Sequence, residues 1–167
     1  MIVREQLNKL GLNPTAVNLG EAEIKEDITA LKREKLKDSL LEYGLELIED
    51  KKTILIEKIK NVIIETVHFS DTLPSVKFSI YLSEKLNYDY TYLSNLFSQS
   101  SGTTIEHFIL LHKSERVKEL ITYNELNLTE IAYLMHYSSV AHLSTQFKKI
   151  TGLTPTHFKK LRDKRRN

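Results

Sequence analysis

The stretch Leu93-Ser94-Asn95-Leu96-Phe97-Ser98-Gln99-Ser100-Ser101-Gly102-Thr103-Thr104-Ile105-Glu106-His107-Phe108 returns fifty residues later as Leu143-Ser144-Thr145-Gln146-Phe147-Lys148-Lys149-Ile150-Thr151-Gly152-Leu153-Thr154-Pro155-Thr156-His157-Phe158. Seven of the sixteen positions are identical: Leu93/Leu143, Ser94/Ser144, Phe97/Phe147, Gly102/Gly152, Thr104/Thr154, His107/His157 and Phe108/Phe158. Upstream the match continues one residue out of step, in Leu82/Ile131, Ser83/Ala132, Leu86/Met135 and Tyr88/Tyr137. The second copy therefore holds one extra residue in its turn. Repetition of this kind marks one supersecondary unit used twice.

Each copy reads as a short helix, a turn and a second helix. The first copy runs from a helix at 79–86 through Asn87-Tyr88-Asp89 into a helix at about 90–99. The second runs from 129–135 through His136-Tyr137-Ser138 into about 139–150. A small residue in each leading helix, Ser83 or Ala132, lets two helices cross closely. The turn requires a residue that tolerates positive φ, and Asn87 and His136 belong to the types enriched there. Asp89 and Ser138 are suited to cap the helices that follow. This is the grammar of a helix-turn-helix.

The second helix of each copy divides into two faces. Leu93, Leu96 and Phe97 point inward and leave Thr91, Ser94, Asn95 and Ser98 outside. Leu143, Phe147 and Ile150 do the same for Val140, Ala141, Ser144, Thr145 and Lys148. Side chains this short let a helix lie deep in a major groove. There hydroxyls bond base edges or phosphates, Asn95 pairs with adenine, and Val140 or Ala141 touches thymine methyls. An ordinary solvated helix face has the same composition, so the pattern alone leaves both readings open.

Between the copies, periodicity predicts a long helix capped by Thr104 and running to about Thr122, with Phe108, Leu111, Val117, Leu120 and Ile121 as its apolar side. Roughly 18 residues at about 1.5 Å each give about 27 Å. Adding the widths of the flanking units brings this close to one turn of B-DNA, roughly 34 Å. His112, Lys113 and Arg116 on this helix, with Ser144, Lys148 and Lys149 on the later one, are candidate phosphate contacts. Glu119 or Glu115 is an alternative partner for Arg116.

The front of the chain has a different character. Ile2, Val3, Gln6, Leu7 and Leu10 recur at helical spacing and Gly11 ends that helix. Residues 15–19 and 22–25 alternate as a hairpin around Gly20-Glu21. A second helix over about 29–43 closes at Gly44, residues 45–49 form a short strand, and a polar turn follows at 49–52. A longer amphipathic helix over 54–68 carries Leu55, Ile59, Val62, Ile63 and Val67, until Ser70-Asp71-Thr72-Leu73-Pro74 breaks it. The expected domains are residues 1–50 and 51–167.

Composition bounds what this chain can do. Its 167 residues are 41% hydrophobic and 28% charged, enough to bury a core. It has no cysteine, which excludes disulfides, thiolate metal sites and cysteine nucleophiles. The net charge of +2 conceals a split. Residues 1–68 carry 11 Lys+Arg against 13 Asp+Glu, residues 69–167 carry 13 against 9, and six cations crowd residues 159–166. A basic second half suits a polyanionic partner. No serine-hydrolase elbow, P-loop or dinucleotide fingerprint occurs. No histidine pair sits at i,i+4, since His107 and His112 are five apart and His136 and His142 six, against a metal site. Neither an enzyme nor a cofactor is expected, no run is long enough to span a bilayer, and a cytoplasmic location is the default.

Residues 130–149, Glu-Ile-Ala-Tyr-Leu-Met-His-Tyr-Ser-Ser-Val-Ala-His-Leu-Ser-Thr-Gln-Phe-Lys-Lys, followed by Thr151-Gly152-Leu153-Thr154-Pro155, resemble the signature of AraC-type transcription regulators, and the resemblance covers about residues 54–162. It implies a mainly α fold of two helix-turn-helix units joined by a linker helix. Thr91, Ser94, Asn95, Val140, Ala141 and Thr145 match the family's base-reading places. It also implies a bacterial regulator whose partners are double-stranded DNA and RNA polymerase. Three departures stand out. The family's frequent turn glycine is Asn87 in one unit and His136 in the other, neither reading helix presents an arginine, and Ser98-Gln99 stands where lysines are common.

Residues 2–49 resemble a heavy-metal-associated domain, a βαββαβ ferredoxin-like sandwich, from its first helix onward. Its first strand and Cys-x-x-Cys loop would lie before Met1. The resemblance then implies an incomplete α+β module, extended upstream in the natural chain or completing its sheet by self-association. Two functions are consistent with all this: a sequence-specific DNA-binding regulator, or a helical protein-interaction module that has lost DNA binding.

Overall fold

The computed structural model describes residues 2–47 and 51–166. The chain forms two compact lobes, Met1–Asn61 and Val62–Asn167. The first contains α1 (Ile2–Lys9), β1 (Pro14–Asn18), β2 (Glu21–Ile24) and α2 (Ala30–Glu42), and begins α3 (Lys51–Ile64).

Both α1 and α2 stop at a glycine because the chain turns left-handed there. At Gly11, φ is +74°, the Gly11 N–H reaches the Asn8 carbonyl, and the Leu12 N–H reaches that of Leu7. This pairing satisfies carbonyls that the helix end would otherwise orphan, and it brings Leu7 and Leu12 together. Both are 1% exposed and cluster with Leu36 and Leu40 of α2. The antiparallel pairing of Asn18 with Glu21 makes Leu19-Gly20 the two-residue loop, one residue earlier than the sequence suggested. Gly20, at φ +80°, takes the positive-φ place, and the Asn61 side chain donates to the Leu19 carbonyl against it.

The ferredoxin-like sheet expected here is not seen: among the described residues the sheet is the β1–β2 hairpin alone. Residues 45–47 carry no strand, because Leu45 spends its N–H on the Leu40 carbonyl in closing α2. The rest of the expected strand and its turn, residues 48–50, lie outside the described residues. Lys51 and Lys52 belong to α3.

The second lobe is helical. After α3 comes a π-helical turn (Glu65–Phe69), then α4 (Phe78–Leu86), α5 (Tyr90–Ser101), α6 (Ile105–Tyr123), α7 (Leu128–Leu134), α8 (Val140–Thr151) and α9 (Pro155–Arg166). Helix α6 packs against α8, α9 and the π-helical turn, and also touches α5 and α7. Its buried side is Ile105, Ile109, Ser114, Val117, Leu120 and Ile121. Leu111, expected there, is 39% exposed, because the neighbours of α6 crowd a stripe rotated toward Ile109.

The repeat is explained by these helices. Leu93, Leu143 and Phe97 are fully buried, and Phe147 nearly so. Phe97 meets Phe108 edge-on at 5.5 Å between ring centroids, and Phe147 meets Phe158 likewise at 5.9 Å. Gly102 and Gly152 end α5 and α8 at φ +69° and +82°. Thr104 and Thr154 accept the N–H of His107 and His157, capping α6 and α9. Six of the seven identities thus hold a core aromatic pair, a leucine and two chain reversals, or sit on the outer side of the second helix of the unit. Only the side chains at His107 and His157 have no such structural account.

Candidate nucleic-acid interface

The two turns adopt the conformation their residues favour. Asn87 and His136 have φ of 58° and 59°, in the left-handed region. In the second unit the His136 N–H reaches the Tyr133 carbonyl and the Tyr137 N–H reaches that of Ala132. The reversal therefore closes α7 and aims α8 in one step. In the first unit the Ser83 hydroxyl donates to the Tyr88 carbonyl at 2.6 Å, so the small residue at the crossing also pins the turn.

The caps agree with expectation in one unit and correct it in the other. Asp89 caps α5, accepting the Thr91 N–H. In α8 the cap is Ser139, which accepts the His142 N–H at 3.0 Å, and not Ser138. Ser138 is the extra residue of the second turn, and its N–H donates to His142 Nδ1 at 3.2 Å. The fifty-residue offset carried this signal, since it aligns Asp89 with Ser139. Asn127 and Glu130 form a reciprocal cap on α7, which the spacing Asn-x-x-Glu could have announced.

Every residue expected to read bases lies on α5 or α8. Thr91, Asn95, Ala141 and Thr145 are exposed, and Ser94 and Val140 are half-buried at the edges of those faces. The Thr145 hydroxyl donates to the Ala141 carbonyl at 3.0 Å, leaving its oxygen free to accept. Lys148 and Lys149 are exposed in the last turn of α8, where the helix dipole favours cations. Ser144, half-buried, lies one turn before Lys148.

Helix α6 presents its cations less freely. The Arg116 guanidinium bonds Glu119 at 2.9 Å. The Lys113 ammonium sits 4.0 Å from the centre of the Tyr137 ring. Burial pushes Lys113 down to about 8 and Tyr137 up to about 12. The ring's negative face opposes the first shift by attracting the cation. His112 shares a hydrogen bond of 2.9 Å with His68 of the π-helical turn. Its pKa is lowered, first by burial and then by the charge of His68.

Lys113→Met tests this arrangement. A folded-state pKa below the unfolded value means the unfolded chain binds more protons between about pH 8 and 10.5. Charged Lys113 therefore costs stability at neutral pH, a cost relieved as pH rises through that window. Methionine keeps the packing over Tyr137 without the charge. A urea titration at pH 7 is expected to show the variant more stable by about 1 kcal/mol, the desolvation cost less the lost ring attraction. A less stable variant would mean the ring contact outweighs the burial.

Comparison with known proteins places this geometry. Residues 82–161 match the family described as a helix-turn-helix domain. An uncharacterized HTH-type transcriptional regulator of Staphylococcus aureus is 33% identical over 78 residues, which are 47% of this chain and 10% of that protein. The chain thus spans about a tenth of the curated relatives it matches. Among solved structures, the C-terminal domain of AraT, a response regulator from Geobacillus stearothermophilus, aligns with a TM-score of 0.57 at 26% identity, covering 68% of this chain and 89% of that one. The C-terminal domain of the two-component response regulator yesN from Fusobacterium nucleatum aligns with a TM-score of 0.52 at 32% identity, covering 62% and 95%. Neither the match nor these structures bear out a heavy-metal-associated module at residues 2–49. Residues 82–161 thus form a helix-turn-helix domain of the AraC type.

Proposed function

We propose that residues 51–167 bind double-stranded DNA by setting α5 and α8 into successive major grooves, and that the protein acts as a transcription regulator. The observation that carries this reading is the duplication itself. Two helix-turn-helix units with the same core pair flank α6, and both expose a face of short polar or small apolar side chains. Helix α6 has 19 residues. At about 1.5 Å per residue that is roughly 28 Å of rigid spacer, which suits a pitch of roughly 34 Å between grooves.

In this reading Thr91, Ser94, Asn95, Val140, Ala141 and Thr145 face bases, while Ser144, Lys148 and Lys149 face phosphates. Lys113 and Arg116 contribute only by leaving Tyr137 and Glu119. A regulator also implies contact with RNA polymerase and a cytoplasmic location, and the N-terminal lobe is the candidate surface for self-association. Among the described residues no helix is long and apolar enough to cross a membrane.

A gel-shift series on a randomised duplex pool, repeated over salt concentrations, tests the proposal. Asn95→Ala is expected to change the base preferences of the selected sites, at about 1–3 kcal/mol for the affected base. Lys148→Ala is expected to weaken all duplexes evenly and to lower the slope of log K against log salt by about 0.9. The competing interaction-module reading draws on α5, which carries no charged residue. It would be favoured by a chain that binds no duplex even near about 50 mM salt.

A further inference from the structure

The two units are chemically unequal. Residues 124–167 hold eight Lys+Arg against three Asp+Glu, whereas residues 69–104 hold two against three. One of those two cations, Lys85, lies 5.7 Å from the centre of the Tyr81 ring. Unit one therefore has little charge with which to hold a polyanion, yet its reading helix is as well built as that of unit two.

What it offers is a pair of tyrosines. Tyr88 in the turn and Tyr92 in the first turn of α5 stack at 5.4 Å with 22° between their planes. They are 47% and 46% exposed. Neither hydroxyl has a hydrogen-bond partner among the described residues. Tyr90 between them is different: its hydroxyl donates to Glu106 Oε1 at 2.6 Å, and burial and that carboxylate raise its pKa.

The equivalent pair in unit two, Tyr137 and His142, makes an edge-on contact at 5.1 Å. Both of its members are already engaged. Tyr137 is 7% exposed beneath the Lys113 ammonium, and His142 Nδ1 accepts the Ser138 N–H. The same position in the repeat is thus closed in one unit and open in the other. Tyr92 lies three residues before Asn95, so the open pair flanks the outward face of α5.

We infer that the exposed Tyr88–Tyr92 stack is a DNA-backbone contact site, by which the cation-poor unit one bonds phosphate oxygens through two phenolic hydroxyls. This rests on the DNA-binding reading above. Tyrosine serves that role without releasing a counterion of its own, since it carries no charge. Stacking fixes both rings in advance, which reduces the ordering cost on binding.

The test uses the full chain and the randomised duplex pool. Tyr88→Phe and Tyr92→Phe keep the stack and remove only the hydroxyls. Each is expected to weaken binding about tenfold, the loss of a hydrogen bond to a charged group. The salt slope should stay unchanged, while Lys148→Ala lowers it. Melting curves of both Phe variants should match the unaltered chain, because the hydroxyls have no hydrogen-bond partner among the described residues. Phe variants that bind as tightly as the unaltered chain would overturn the proposal and free the stack for a protein partner. So would a lowered salt slope in either. Failure of the unaltered chain to bind any duplex would instead overturn the DNA-binding reading itself, a result distinct from both.

Discussion

Phe147→Ala is expected to destabilise the C-terminal lobe by about 3–5 kcal/mol, the range for emptying a buried aromatic site. Phe147 is 1% exposed and its ring meets Phe158 at 5.9 Å. Its removal leaves a cavity between α8 and α9 and also deletes the edge-on contact, itself worth about 0.5–1.5 kcal/mol in aromatic pairs. Helix α6 packs on both α8 and α9, so the cavity lies where three helices meet and has little freedom to collapse. Urea unfolding followed by circular dichroism measures the change. A loss below about 1 kcal/mol would show that the neighbours repack, and that Phe147 is less central than its burial indicates. The equivalent change at Phe97 should behave alike, since the Phe97–Phe108 pair is its repeat counterpart.

Ala141→Asp is expected to abolish DNA binding, by at least about a hundredfold, while leaving the fold intact or firmer. The two effects have opposite signs because they have different causes. Ala141 is exposed at the second position of α8, two residues after the cap Ser139. A carboxylate there meets the positive end of the helix dipole and gains about 0.3–1 kcal/mol. In the proposed complex the same carboxylate enters a groove walled by phosphates, where like charges cost several kcal/mol. Gel shift and thermal melting on the same preparation give both readouts. A variant that binds the random pool normally would show that α8 does not enter the groove. One that loses binding only because it unfolds would register in the melt.

Much of this protein was written into short stretches of its chain. The positive-φ positions at Asn87 and His136, the caps at Asp89 and Thr104, the inward triad of α5 and the buried pair Leu143 and Phe147 of α8 depend on residues within a turn or two of each other. They can therefore be read from spacing alone. The repeat sharpened that reading, because core and cap positions recur together while exposed positions drift. The misreadings were also local. A one-residue slip placed the second cap at Ser138 instead of Ser139, and the strand expected over 45–49 is absent at 45–47, where Leu45 helps to end α2.

That two helix-turn-helix units exist, where each turns, and which faces they bury can be read along the chain, because those outcomes follow from backbone preferences and apolar periodicity. Which polar groups remain available depends instead on how the helices pack. Lys113 and Arg116 look alike as free cations in the chain, yet one is held over Tyr137 and the other on Glu119. Tyr88 and Tyr137 look alike in the repeat, yet one is open and the other covered. Whether a side chain can meet a partner depends on which helix crosses it. That crossing is set by contacts between residues far apart in the chain, to which no local pattern has access.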